Sequence, residues 1–180
     1  MRISLTRIIF FLLLSTCSIN FADGQSSLPP RVIPFCQKPD GGRKSLQWNK
    51  LLAFTLPEKD VKFRRGKVDV DYVRDTIQRK STSAFMSFWA GPLSFGPEPP
   101  KDLVAKSPSF SKRDLQTVDG SRFGTESFGT TSEGTYWRWT FIAFVGINGL
   151  EFKVSSRDDA AFFDQIIDSV CILPPVKNPH

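Results

Sequence analysis

From Tyr136 onward the chain carries a pattern that few folds accommodate: two alternating apolar segments followed by an amphipathic helix. Tyr136 to Ile147 and Leu150 to Ser155 read as strands, and Asn148-Gly149 between them is a strong short hairpin signal. A two-residue loop sets Ile147 opposite Leu150, Val145 opposite Phe152 and Ala143 opposite Val154. Cross-strand partners share a face. Trp137, Trp139, Phe141, Ala143, Val145 and Ile147 therefore join Leu150, Phe152 and Val154 on one wholly apolar face. The other face pairs Phe144 with Lys153 and Ile142 with Ser155. This register assigns Trp137 and Trp139 to the core rather than to a carbohydrate-stacking pair. Tyr136 and Arg138 point the other way and form the candidate ligand surface.

A helix is expected next, from Arg157 to about Cys171. Ser155 or Ser156 can cap it, and Asp158 or Asp159 suits the positive end of its dipole. Phe162, Phe163, Ile166, Ile167 and Val170 make one apolar stripe. Upstream, Lys112 to Val118 and Ser121 to Phe128 flank Asp119-Gly120, a type I′ hairpin signal, and Thr131 to Gly134 forms a further turn. The four segments from Lys112 to Ser155 thus predict an antiparallel β-meander with the C-terminal α-helix packed on one face, an α+β class.

The first half is less patterned. Residues 25–44 are rich in Pro and Gly and predict an extended segment without regular structure. Trp48 to Leu56 fits a strand or a short helix, ended by Pro57. Val68, Val70 and Tyr72 alternate with Asp69 and Asp71 as in one half-buried strand, and Ser83 to Trp89 reads as the next. A stiff proline-rich loop follows to Pro100, and Asp102 to Lys106 fits one helical turn. Residues 45–172 make a single domain and 173–180 a tail, with no internal repeat.

The N-terminus has the three-part plan of a secretory signal over residues 1–24. Arg2 and Arg7 supply positive charge, Ile8 to Leu14 an apolar run, and Ala22-Asp23-Gly24 small residues before a cut at Gln25. The run is too short to span a bilayer, which takes roughly 20 residues. The expected product is secreted or periplasmic and not transmembrane. The competing expectation is a lipid anchor at Cys17 in the envelope, since Leu14-Ser15-Thr16-Cys17 approaches a lipobox, with Thr16 where that pattern wants a smaller residue.

The formal net charge of +6 comes from scattered residues, and acidic ones interrupt the densest run, Lys59 to Lys67. That distribution lacks the basic stripe and modules of a nucleic-acid binder. The partner expected is a protein or a polysaccharide. The chain has a single histidine, His180, at its very end. Ser–His–Asp and Cys–His catalysis and histidine-based zinc sites lose their central residue. Gly129 to Gly134 has one residue too many for a nucleophile elbow, and its hairpin setting is wrong for one. No glycine pattern matches a phosphate loop or a dinucleotide fingerprint, so no cofactor is expected. Asp69, Asp71 and Asp75 could place oxygens together for calcium but lack the glycine and distal Glu of a calcium loop, and Asp69 and Asp71 fit the wet face of a strand. One enzymatic route stays open, a carboxylate pair acting on glycans.

Loss of Cys17 with the signal leaves Cys36 and Cys171, two thiols in an oxidising compartment, and predicts a disulfide between them. The helix ending in Phe163-Asp164-Gln165-Ile166-Ile167-Asp168-Ser169-Val170, after a long strand, resembles the close of the PsbP-like fold. It is also similar to small exported bacterial proteins of that shape. The likeness covers residues 136–172. It implies a non-catalytic accessory or scaffold role and carries over no site residue. The expectation is an exported binding or accessory protein without catalytic residues, with a glycan hydrolase as the alternative.

Overall fold

The computed structural model describes residues 25–37, 43–48, 52–66, 68–69, 72–91, 98–143 and 147–174. In chain order the elements are β1 (Gln25–Ser27), β2 (Arg31–Val32), β3 (Arg43–Gln47), β4 (Leu52–Pro57), β5 (Val61–Arg64), β6 (Val68–Asp69), β7 (Tyr72–Arg79) and β8 (Phe85–Gly91). Then come α1 (Lys101–Lys106), β9 (Phe110–Gln116), β10 (Arg122–Thr130), β11 (Tyr136–Ala143), β12 (Ile147–Val154), α2 (Arg157–Asp168) and β13 (Cys171–Ile172). A 10-stranded sheet runs β1-β9-β10-β11-β12-β8-β7-β5, with β2 also on β9 and β6 on β7. β13, β4 and β3 form a second, three-stranded sheet. The chain is thus mostly β, and the meander β9 to β12 is antiparallel throughout, followed by the C-terminal helix.

The turn between β9 and β10 is longer than a type I′ hairpin. Gly120 has φ +85°, but Asp119 does not share the left-handed region, and the hydrogen bond closing the turn joins Thr117 to Ser121. The departure at β11–β12 is larger. Ala143 pairs with Ile147, Phe141 with Gly149, Trp139 with Glu151 and Trp137 with Lys153. Asn148-Gly149 therefore lies inside β12, and the reversal comes before Ile147; Phe144 and Val145 fall outside the described residues. The shift exchanges the faces. Ile142, Leu150, Phe152 and Val154 now face α2, whose Phe163, Ile166 and Ile167 share their cluster with Leu52, Phe54 and Leu56 of β4. Trp137 and Trp139 are buried as expected, but on the opposite face, with Trp89, Phe141 and Leu103 of α1. Both faces of β11 are covered, so its alternation could not define which one meets the helix.

Gly149 has a packing role instead of a turn role. A Cβ there would stand 2.1 Å from Cζ2 and 2.2 Å from Cε2 of the buried Trp89 indole. Overpacking of this kind typically costs about 1–3 kcal/mol. Gly149→Ala is expected to lower the unfolding free energy by that amount, seen as a lower urea midpoint at an unchanged m-value; an unchanged midpoint would show that Trp89 yields freely.

Three further expectations are corrected. Residues 25–44 are not free of regular structure: β1 and β2 pair parallel with β9, Ile33 is fully buried, and Phe35 bridges Ile172. The arm satisfies the backbone groups that β9 would otherwise expose as a sheet edge. The single strand through residues 68–72 is two strands, β6 and β7, with Asp69 opposite Tyr72. α2 ends at Asp168, short of Cys171. The Ser169 hydroxyl stops it by donating to the Ile166 carbonyl and accepting from the Thr55 amide, and Cys171–Ile172 then pairs with β4. At the other end Ser156 caps the helix by accepting from the Asp159 amide. Cys36 and Cys171 form a disulfide, with Cα atoms 4.9 Å apart. No helix among the described residues is long and apolar enough to cross a membrane.

Candidate functional site

The site is built on neighbouring strands whose register brings polar residues onto the helix-facing side of the sheet. Glu126 of β10 pairs with Arg113 of β9 and with Thr140 of β11. Arg138 lies two residues along β11 on the same face, and the arm places Arg31 opposite Leu115 at the sheet's end. Long arginine stems from three strands therefore converge on one carboxylate, which has no exposure at all.

Both carboxylate oxygens of Glu126 are engaged. Its Oε1 accepts from Arg31 Nη1 at 2.8 Å, Arg138 Nη2 at 2.6 Å, Arg138 Nε at 3.0 Å and Thr140 Oγ1 at 3.2 Å. Its Oε2 accepts from Arg113 Nε, also at 2.6 Å. α2 closes the network from above. Arg138 Nη1 meets Asp164 at 2.7 Å and Nη2 meets Asp168 at 2.6 Å, residues one helical turn apart. Arg31 Nη2 donates to the Ile167 carbonyl at 2.7 Å, near the negative end of the helix dipole. Three arginines thus face three carboxylates.

The electrostatics follow from this closure. Burial pushes the Glu126 carboxyl up, but the guanidiniums of Arg138, Arg31 and Arg113 outweigh it and hold the group below its ordinary range. Burial disfavours the charge on Arg138 too, yet Glu126 and Asp168 overcome that and raise it further. Arg31 is lowered, burial being the main cause. Asp164 behaves in the opposite sense to Glu126: burial raises it more than its bond to Arg138 lowers it.

A cavity of about 330 Å³ opens beside the network. Its walls include Phe128, Tyr136, Phe152, Arg113, Arg138, Asp164 and Asp168. The Arg113 and Arg138 guanidiniums lie 5.5 and 5.8 Å from the Phe128 ring centroid, within cation–π range. The cavity offers an arginine face, two carboxylates on one helix edge and aromatic surface, a set suited to a small polar molecule carrying groups of both signs. Tyr136 and Arg138 both line it, Tyr136 half-buried at the wall and Arg138 buried in the floor rather than freely exposed. Glu126, Arg113, Arg31, Asp164 and Asp168 were not singled out from the sequence. The available signal was Glu126 within the otherwise uncharged stretch Phe123 to Thr131, where an ionised side chain on a buried strand requires partners. Asp69 and Asp75 lie on β6 and β7, and Asp71 is outside the described residues. Among the described residues no group of three or more His, Cys, Asp or Glu is placed to hold a metal ion. The chain matches no family model, no curated protein and no solved structure.

Proposed function

We propose that this is an exported, non-catalytic binding or accessory protein that holds a small polar ligand in the cavity beside Glu126. The observation that carries the reading is the full neutralisation of Glu126 under an open, two-signed cavity. A carboxylate engaged by three arginines is a positioning group: it pre-orients Arg113 and Arg138, and their charges hold it ionised rather than poised to move a proton. Preorganised charge of this kind favours recognition, since the side chains need not be ordered when the ligand arrives. Export is read from residues 1–24, and the resemblance to the PsbP-like fold points to the same accessory role.

The hydrolase reading retains one observation, the raised Asp164 carboxyl at the cavity wall, which is the direction a general acid needs. The two readings separate in one experiment. A library of small zwitterions, amino acids and dicarboxylates is screened by thermal shift, with glycan turnover measured in parallel. Binding is expected to weaken about tenfold or more in Tyr136→Ala and Asp164→Asn, consistent with loss of one charge-assisted hydrogen bond, with no turnover. Turnover abolished by Asp164→Asn would replace the binding reading with the hydrolase. No stabilising ligand in the library would remove the support for the binding reading, and no glycan turnover would remove that for the hydrolase.

A further inference from the structure

A second cavity, of about 300 Å³, lies where the three-stranded sheet meets the β5–β7–β8 edge of the large one. Its lining is aromatic and polar together: Trp48, Phe63 and Phe88 with Gln47, Arg65 and Asp75. Independently of the Glu126 cavity, we propose that it is a saccharide-binding subsite that takes one pyranose ring.

The local fold explains the arrangement. Asp75 of β7 sits opposite Phe88 of β8, so the carboxylate and the ring share a face. Phe63 of β5 stands opposite Ile77, on that same face, and is 37% exposed at the sheet edge. Trp48 reaches over from the end of β3, its ring edge-on to Phe88 at 5.9 Å, while Phe63 tilts against Phe88 at 5.8 Å. Phe88 is buried and forms the floor; Trp48 and Phe63 are its two partly open walls.

Aromatic walls match the apolar C–H face of a sugar, and the polar groups match its hydroxyls. Asp75 Oδ1 accepts from the Gly66 amide at 2.8 Å, which orients the carboxylate; among the described residues no hydrogen bond engages Oδ2, which can accept from a ligand. Arg65 adds donors and Gln47 adds both kinds of group. An organic cation would also suit three aromatic rings and a carboxylate. The Arg65 guanidinium at the same cavity opposes that choice by like-charge repulsion and favours a neutral polyol.

The test uses the purified protein and saturation-transfer-difference NMR with tetrasaccharides of β-1,4-linked N-acetylglucosamine, β-1,4-linked glucose and α-1,4-linked glucose. Tetramethylammonium serves as the competing probe. At least one sugar is expected to give transferred saturation. The signal should fall about tenfold in Phe63→Ala and in Asp75→Asn, whose amide oxygen can keep the Gly66 bond. It should survive Asp164→Asn, which alters only the other cavity, so failure here and failure of the proposed function remain distinguishable. Absence of signal from all three sugars overturns the proposal. So does a sugar signal unchanged in both variants, or tetramethylammonium binding that Phe63→Ala removes in place of sugar binding.

Discussion

Replacing Glu126 by Gln is expected to destabilise the protein by about 3–5 kcal/mol, the usual cost of removing one partner from a buried ion network. For a domain of this size that is a fall of roughly 10 °C in Tm. The shape of the side chain survives, so the loss reports charge. Arg138 and Arg31 have side chains only 4% and 12% exposed, and without Glu126 the carboxylates left to them are Asp164 and Asp168, which solvent partly screens. Acid gives the signature that separates this from lost packing. A carboxyl held below its ordinary value contributes stability that is fully present above the unfolded-state pKa and disappears as pH falls through the lower folded-state value. The gap between wild type and Glu126→Gln should therefore be constant from neutral pH down to roughly pH 4.5 and narrow below it. The comparison also sets aside Glu151, whose burial pushes its carboxyl up and whose contribution runs the other way. A stability within about 1 kcal/mol of wild type, the range of a surface ion pair, would show that the arginines find water instead.

Removing the disulfide is expected to have a comparable effect. Cys36→Ser with Cys171→Ser opens a link with a sequence separation of 135, and the chain-entropy account gives about 4–5 kcal/mol as an upper figure for such a loop. The effect should be local as well as global. Around the bridge, the Cys36 amide donates to the Ile172 carbonyl and the Ile172 amide to the Pro34 carbonyl. The arm then runs back along β9, with Leu28 bonded to Lys112 and Ile33 to Gln116. Hydrogen exchange at Leu28 and Ile33 should accelerate more than exchange in β10 or β11. Because the arm delivers Arg31 to Glu126, combining the double Ser variant with Glu126→Gln should cost less than the sum of the two. Strict additivity would mean that Arg31 stays in place without the bridge. Two alkylatable thiols in the unreduced protein would show that the bridge does not form.

What could be read from the chain alone was whatever depends on near neighbours. The capped, amphipathic α2, the consecutive antiparallel strands β9 to β12, the short α1 and the pairing of the two cysteines follow from local chemistry or from elimination. The β11–β12 register was misread because Asn148-Gly149 is a favourable turn only if nothing else claims it. Here Trp89 needs the space over Gly149, and burial of both faces of β11 removes the polar side that would have fixed the phase. Most of β7 lies beyond the strand expected at 68–72, because Arg74, Asp75, Thr76 and Gln78 give no apolar alternation; they form strand because β8 and β5 pair with them on either side.

The sites show the same division. Tyr136 and Arg138 were legible as polar positions on a strand, and both line a cavity. Their neighbours were not, because Arg31, Arg113, Glu126, Asp164 and Asp168 come from the arm, two further strands and the helix, with no spacing in common. Desolvation decides the matter: a carboxylate removed from water must collect cations from wherever the chain passes, and only the three-dimensional path determines which arginines those are.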